Sequence, residues 1–271
     1  MQEHPVPRHK SVYILPNLFT TASLFAGFWG ILSAAKGTAA GFEFCALAIL
    51  FSALMDALDG KVARLTNSTS EFGVQYDSLS DLVAFGVAPA FMIYQYALHT
   101  FNMWGVAAAF LFTVCGALRL ARFNAAASSA TDKRFFTGLP IPAAGCALAC
   151  IVLINPSLPG FLQNGIGHIA LFCAAGLAFL MVSRIRYASF KELGAFKAYP
   201  FRSMVFVIGL FALMVANFKV FVSLGLLGYI ISGLVYTFVL LPRMALSANR
   251  AQPQATGHTP GDEAGKSDAP K

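Results

Sequence analysis

Between residues 17 and 241 the chain reads as long apolar runs separated by short polar breaks, with neither the alternation of a half-buried strand nor the narrow stripe of a soluble helix. A run of about 20 apolar residues matches the hydrocarbon thickness of a bilayer. Eight such runs predict transmembrane helices at 17–36, 38–59, 78–98, 101–121, 138–155, 161–182, 203–217 and 220–241. The seventh is short, and Asn217-Phe218-Lys219 divides it from the eighth. Residues 1–16 are polar and weakly amphipathic, and are expected to lie along the membrane interface until Pro16-Asn17 turns the chain into the first helix. Residues 183–202 interleave Arg184, Arg186, Lys191, Lys197 and Arg202 with Tyr187, Phe190, Phe196, Tyr199 and Phe201, as either an interfacial stretch or a solvated basic loop. From 242 to 271 the chain is rich in Ala, Pro, Gly and charge without apolar periodicity, and disorder is expected there.

Composition agrees with this reading: 57% of residues are hydrophobic and 11% charged, outside the range of a soluble domain. The expected class is all-α, a polytopic membrane helical bundle. Basic residues set its orientation. With the N-terminus in the cytoplasm, all but Lys36 and Lys219 of the 19 Lys and Arg fall on the cytoplasmic side, which also puts the C-terminus there. The net charge of +7 then implies attraction to anionic membrane lipids. It does not point to nucleic acid, since no nucleic-acid-binding module is present. The five cysteines lie in apolar spans without a C-x-x-C pair and are assigned to packing. The first apolar run exceeds the roughly 7–15 residues of a signal-peptide core and is read as a retained helix.

Against this apolar background, four of the twelve acidic residues are the aspartates of one stretch, Asp56-Ala-Leu-Asp59-Gly60-Lys-Val-Ala63-Arg64, eight residues, then Gly73-Val-Gln-Tyr-Asp77-Ser-Leu-Ser-Asp81. A charged side chain at the centre of a membrane helix costs roughly 2.5 to 3.5 kcal/mol, and less near the interface. Asp56 and Asp59 (i, i+3) share one helix face, as do Asp77 and Asp81 (i, i+4). Four carboxylates at one junction call for divalent cations, and all-oxygen ligands suit hard ions. Gly60 and Ala63 leave room for close backbone approach, and Arg64 offers a fork of donors for phosphate. The alternatives are acids that cap helix ends, or an ion pathway of a transporter. The ion pathway explains neither the Gly60, Ala63 and Gly73 positions nor clustering at one surface.

The pattern D-x-x-D-G-x-x-A-R, eight residues, G-x-x-x-D-x-x-x-D resembles the full signature of the CDP-alcohol phosphotransferases, matching at all of its eight fixed positions. Within that family, Leu15-Pro16-Asn17-Leu18-Phe19-Thr20 and Phe136-Thr137-Gly138-Leu139-Pro140-Ile141-Pro142-Ala143-Ala144 are most similar to segments of bacterial phosphatidylserine synthases. The resemblance implies a six-helix catalytic core over 17–182, two additional helices over 203–241, a homodimer, and Mg²⁺ or Mn²⁺, two per active site. It implies that Asp56, Asp59, Asp77 and Asp81 hold the metals, with Asp81 also the general base. Asp56, Gly60, Ala63, Arg64, Gly73 and Asp77 would form the CDP site. The implied reaction is transfer of a phosphatidyl group from CDP-diacylglycerol to L-serine, at the cytoplasmic face of a bacterial inner membrane. Glycerol phosphate, inositol or choline as acceptor is the alternative within the family.

Further candidates lie outside the signature. Arg119 and Arg122 (i, i+3) end the fourth span, either as cytoplasmic flanking charge or as a site for the acceptor carboxylate or the lipid phosphate. The two prolines of Gly138-Leu139-Pro140-Ile141-Pro142 fit a helix entrance or the lining of an acceptor site. Pro89 should kink the third span. Glu43 reads as a snorkelling or capping acid, His168 as a packed residue, and Tyr94, Tyr96 and His99 as interfacial anchors.

Overall fold

A computed structural model describes residues 14–66, 70–128, 138–183, 185 and 217–235. Most of the interfacial segment 1–16, nearly all of the 183–202 loop, the seventh span and the 242–271 tail lie outside the described residues. Among those described, the structure is helical with no strand: α1 (Ile14–Ala34), α2 (Ala39–Leu65), α3 (Glu71–Asp81), α4 (Ala88–Tyr96), α5 (Met103–Ser128), α6 (Ile141–Ile154), α7 (Gly160–Asn164), α8 (Ile166–Val182) and α9 (Phe218–Val235). A π-helical segment, Leu82–Val87, joins α3 directly to α4.

Helices α2 and α5 are long and apolar enough to cross a membrane, yet only 39% and 33% of their apolar windows are buried inside the protein. That separates them from the core helices of a soluble fold, whose apolar faces are covered by protein. Trp104, Phe110 and Phe172 are among the large apolar side chains left facing outward. In water such a belt would be a severe liability, whereas in lipid it lies in its own solvent.

α1 and α2 form an antiparallel hairpin whose turn uses Gly37 at φ +67°. Thr38 caps α2 by accepting from the Gly41 amide. Midway along the hairpin, Ser52 Oγ donates to the Ser23 carbonyl at 3.0 Å and Ser23 Oγ to the Ser52 carbonyl at 3.4 Å, so both buried hydroxyls are satisfied across the helix pair. The π-helical segment occupies the centre of the bundle. A Cβ on Gly27 of α1 would lie 2.8 Å from the Ala84 Cα, and one on Gly145 of α6 would lie 2.8 Å from the Phe85 carbonyl oxygen. Small residues on two helices thus let backbone pack on backbone, around a core that includes the fully buried Phe85, Ile93, Leu148 and Met181.

The third span departs from a simple proline kink. Pro89 cannot donate an amide hydrogen, and its ring crowds the preceding turn. The chain relaxes this by widening that turn, and the Ala88 amide bonds back five residues to the Val83 carbonyl. Helical structure also reaches beyond the apolar runs. α2 continues through Lys61 and Arg64 to Leu65, and α3 begins at Glu71, capped by Ser70, whose Oγ accepts from the Gly73 amide at 3.0 Å. The polar connection is therefore much shorter than the 60–77 linker expected from hydropathy. α9 packs against α6, and its Lys219 donates to Glu43 Oε1 of α2 at 2.6 Å. Glu43 is an ion-pair partner rather than a lone snorkelling or capping acid. Asn155 donates to the Tyr96 hydroxyl at 2.6 Å, and exposed His168 meets the Phe101 ring edge-on at 5.0 Å. All five cysteines are free, and four are buried, as packing residues would be.

Candidate active site

The two acidic pairs meet where α2 and α3 both pack against α1. Carboxylate oxygens of Asp56, Asp59 and Asp77 all lie within 4.8 Å of one another. Asp81, one turn beyond Asp77, is buried and outside that group. At an effective dielectric constant of 20, two unit charges at that separation repel by about 3.5 kcal/mol, and three make three such pairs. A divalent cation removes the repulsion, and a donor set made only of carboxylate oxygen fits Mg²⁺ or Mn²⁺. The residues present therefore fit the metal that the sequence pattern implies.

The surrounding residues divide by what they touch. Gly60 follows Asp59 on α2, and a Cβ there would meet only the tip of Arg64, Nη2 at 3.9 Å. Among the described residues no atom explains the glycine, so the open space beside it suits a ligand. Ala63 is half-buried and Arg64 exposed on the same stretch of α2. Gly73 differs, because a Cβ there would press on the Ser70 cap at 3.1 Å and approach Asn17 Oδ1 at 3.6 Å.

Arg119 and Arg122 of α5 part company despite their helical spacing. Arg119 is half-buried, interacts electrostatically with Asp81 and with Tyr229 of α9, and keeps a buried Nε without a hydrogen-bond partner among the described residues. Arg122 is exposed and donates to the Val182 carbonyl at 3.0 Å, tying the end of α5 to the end of α8. The Gly138-Leu139-Pro140 strand-like entrance crosses the same place. Gly138 donates to the Ile185 carbonyl at 2.8 Å, Leu139 to the Leu180 carbonyl at 3.1 Å, and α6 starts at Ile141. Gly138 sits at φ +87°, where a Cβ would lie in contact with the Met181 carbonyl. Among the described residues this segment acts as a helix entrance pinned to α8.

Other polar residues near the site were given no role from sequence. Thr20 of α1 donates to Asp59 Oδ2 at 2.9 Å, Ser80 of α3 donates to the Thr20 carbonyl at 3.0 Å, and Thr21 pairs with the Tyr76 hydroxyl at 2.9 Å. Asn124 of α5 donates to Ser78 Oγ at 3.0 Å and Gln75 Oε1 at 3.3 Å, and its buried Oδ1 has no partner among the described residues. Asn17, Thr20 and Thr21 share one face of an otherwise apolar helix start, a pattern that marks a polar surface.

Residues 13–182 match the CDP-alcohol phosphatidyltransferase family. The chain belongs to that family. It is 37% identical over 245 residues to a CDP-diacylglycerol–serine O-phosphatidyltransferase of Helicobacter pylori, covering 89% of this chain and 98% of that one. A Bacillus subtilis protein of the same name is 38% identical over 146 residues, 54% of this chain and 75% of its own. An archaetidylserine synthase of Methanothermobacter thermautotrophicus is 34% identical over 187 residues, 68% of this chain and 74% of its own. The match to the family ends at Val182 of α8, so α9 lies beyond the matched region.

Proposed function

We infer that this chain is a membrane phosphatidyltransferase that moves the phosphatidyl group of CDP-diacylglycerol to L-serine, giving phosphatidylserine and CMP. The observation that carries the reading is the convergence of Asp56, Asp59 and Asp77 within 4.8 Å, from a signature otherwise spread along two helices. Serine as acceptor is supported by similarity to a CDP-diacylglycerol–serine O-phosphatidyltransferase along 98% of that relative's length.

In this reading Asp56, Asp59 and Asp77 hold Mg²⁺ or Mn²⁺, two ions per site with Asp81 as a further ligand. When bound, the metal neutralises the diphosphate and makes its phosphorus a better electrophile. Gly60 and Ala63 admit the CDP moiety against α2, Arg64 offers its guanidinium to phosphate, and Gly73 closes the same site from α3. The serine hydroxyl forms a bond to the phosphorus that carries diacylglycerol, the bond from that phosphorus to CMP breaks, and CMP leaves with the electron pair. Asp81 takes the hydroxyl proton as general base. Arg119 binds the serine carboxylate or the lipid phosphate, since its buried Nε awaits an acceptor and an unmade hydrogen bond there costs about 1–3 kcal/mol. Arg122, the other candidate for that role, is better accounted for by its bond to Val182.

The wider assignment places eight spans in a bacterial inner membrane, with both termini and the Asp cluster on the cytoplasmic side. The six-helix core is 17–182, flanked by the interfacial segment 1–16, the basic-aromatic loop 183–202 on anionic lipid, the two added helices of 203–241 and the 242–271 tail. The pairing of Lys219 with Glu43 puts the start of α9 at the same end of the bundle as the start of α2. A homodimer follows from the family likeness. Purified protein in detergent tests the chemistry. Metal-dependent CMP release from CDP-diacylglycerol should be abolished in Asp56→Asn, Asp59→Asn and Asp77→Asn while the helical fold survives, and near-normal turnover in any of them would remove that residue from the metal site.

A further inference from the structure

Thr20 Oγ1 lies within hydrogen-bond distance of two acceptors, one of them uncommon for a helical threonine. A threonine inside a helix ordinarily bonds back to the carbonyl four residues earlier, and here the Pro16 carbonyl lies 3.2 Å from Thr20 Oγ1. The Asp59 carboxylate oxygen is nearer, at 2.9 Å, and a charged acceptor makes the stronger bond. Both side chains are almost fully buried, at 4% and 5% exposure, so water does not compete for the hydroxyl. A carboxylate turns freely about its last torsion, which is broad and roughly two-fold. The Thr20 hydroxyl, together with the Gly60 amide, restricts its plane, and only the Thr20 bond comes from another helix.

The support for Thr20 comes from the other half of the acidic cluster. Ser80, 1% exposed, stands between Asp77 and Asp81 on α3 and donates to the Thr20 carbonyl at 3.0 Å. The sequence of contacts is therefore Ser80 on α3, Thr20 on α1, Asp59 on α2. α2 and α3 follow one another in the chain but scarcely pack on each other, yet Asp59 and Asp77 must stay within reach of a common centre. α1 bridges them.

We propose that Thr20 is a positioning residue for the carboxylate cluster. Its hydroxyl orients Asp59, and Ser80 holds it in register with the helix that carries Asp77. The inference rests on reading the cluster as a divalent-cation site. Partners that orient a metal ligand from behind typically contribute 10- to 100-fold to metal affinity.

The test is Mn²⁺ binding to the purified full-length chain without substrates, followed by the loss of the free-ion electron paramagnetic resonance signal. Thr20→Val keeps the branched shape and removes the donor, and should weaken Mn²⁺ binding by about 10- to 100-fold. Thr20→Ser keeps the hydroxyl and should bind within a few-fold of the unmodified protein. In turnover, Thr20→Val should need more metal for half-maximal rate and recover much of its kcat at saturating Mn²⁺, a shift that general loosening of the bundle does not produce. If Asp59→Asn loses Mn²⁺ while Thr20→Val binds it normally, the positioning role is wrong and the metal site stands. If Asp59→Asn binds Mn²⁺ like the unmodified chain, the metal reading falls and this inference with it. Should Thr20→Val not fold, Ser80→Ala decides: it leaves the hydroxyl in place without its anchor, and several-fold weaker binding supports the proposal where unchanged binding overturns it.

Discussion

Replacing Gly60 by alanine should separate the needs of the fold from those of the substrate. In a helix interior, alanine is more favourable than glycine by about 1 kcal/mol. That gain is usually unavailable where glycine permits close packing, as at Gly27, where a Cβ would come within 2.8 Å of another backbone. Among the described residues Gly60 has no such neighbour, because its added methyl would meet only Arg64 Nη2 at 3.9 Å, the end of a flexible and exposed side chain. Gly60→Ala should therefore fold at least as well as the unmodified protein, with thermal unfolding in detergent unchanged or raised. The donor should suffer. If the CDP moiety lies directly on the α2 backbone, a methyl group displaces it by about 1 Å or more, and misplacement of that order can lower the rate 10²-fold. Since tenfold corresponds to about 1.4 kcal/mol, the expected loss of transition-state stabilisation is about 1.4 to 3 kcal/mol in kcat/KM for CDP-diacylglycerol. Initial rates of CMP release against donor concentration, beside the melting curve, provide the comparison. An unchanged kcat/KM in a well-folded variant would show that nothing approaches this face of α2, and a clearly lowered melting temperature would show that the open space beside Gly60 is misassigned.

Other changes probe the remaining parts of the site. Asp81→Asn should retain donor binding but lose most single-turnover transfer, because the amide accepts a hydrogen bond yet takes no proton; a parallel loss of both would make Asp81 chiefly a metal ligand, and surviving transfer would end its role as base. Arg119→Lys keeps the charge and loses the planar fork, so KM for serine should rise more than KM for CDP-diacylglycerol, whereas a rise in the donor KM alone would assign Arg119 to the lipid phosphate. Gly138→Ala forces a side chain into the left-handed region and against the Met181 carbonyl, so it should destabilise the protein by more than about 1 kcal/mol, seen as a lower melting temperature without a selective change in metal dependence.

The acidic core of the site was legible because its chemistry is local in sequence. Asp56 and Asp59 share a helix face by spacing alone, and so do Asp77 and Asp81; only the packing of α2 and α3 on a common partner, α1, was needed to bring three of the four together. Most helices were equally visible, since lipid imposes a length and a polarity on each span. What stayed hidden depends on partners distant along the chain. Thr20 lies 39 residues from the carboxylate it orients and looks like any polar residue at a helix start. Arg119 and Arg122 look equivalent at i, i+3, but α8 supplies a carbonyl to Arg122 alone, and Asp81 interacts with Arg119. Glu43 reads as a solitary acid until Lys219, 176 residues later, comes beside it. Hydropathy misjudged the helix ends near the site, because the Ser70 cap and the short tolerance of α2 for Lys61 and Arg64 are not apolar signals.

The central claim is that this carboxylate cluster directs CDP-diacylglycerol to serine. Purified protein given CDP-diacylglycerol and Mn²⁺, with L-serine, glycerol phosphate, inositol or choline in separate reactions, tests it most directly through CMP release and identification of the lipid product. Serine alone should give rapid CMP release with phosphatidylserine as product, and chelation of the metal should stop it. Efficient transfer to another alcohol with serine inert, or serine-dependent CMP release that persists in excess chelator, would contradict the account.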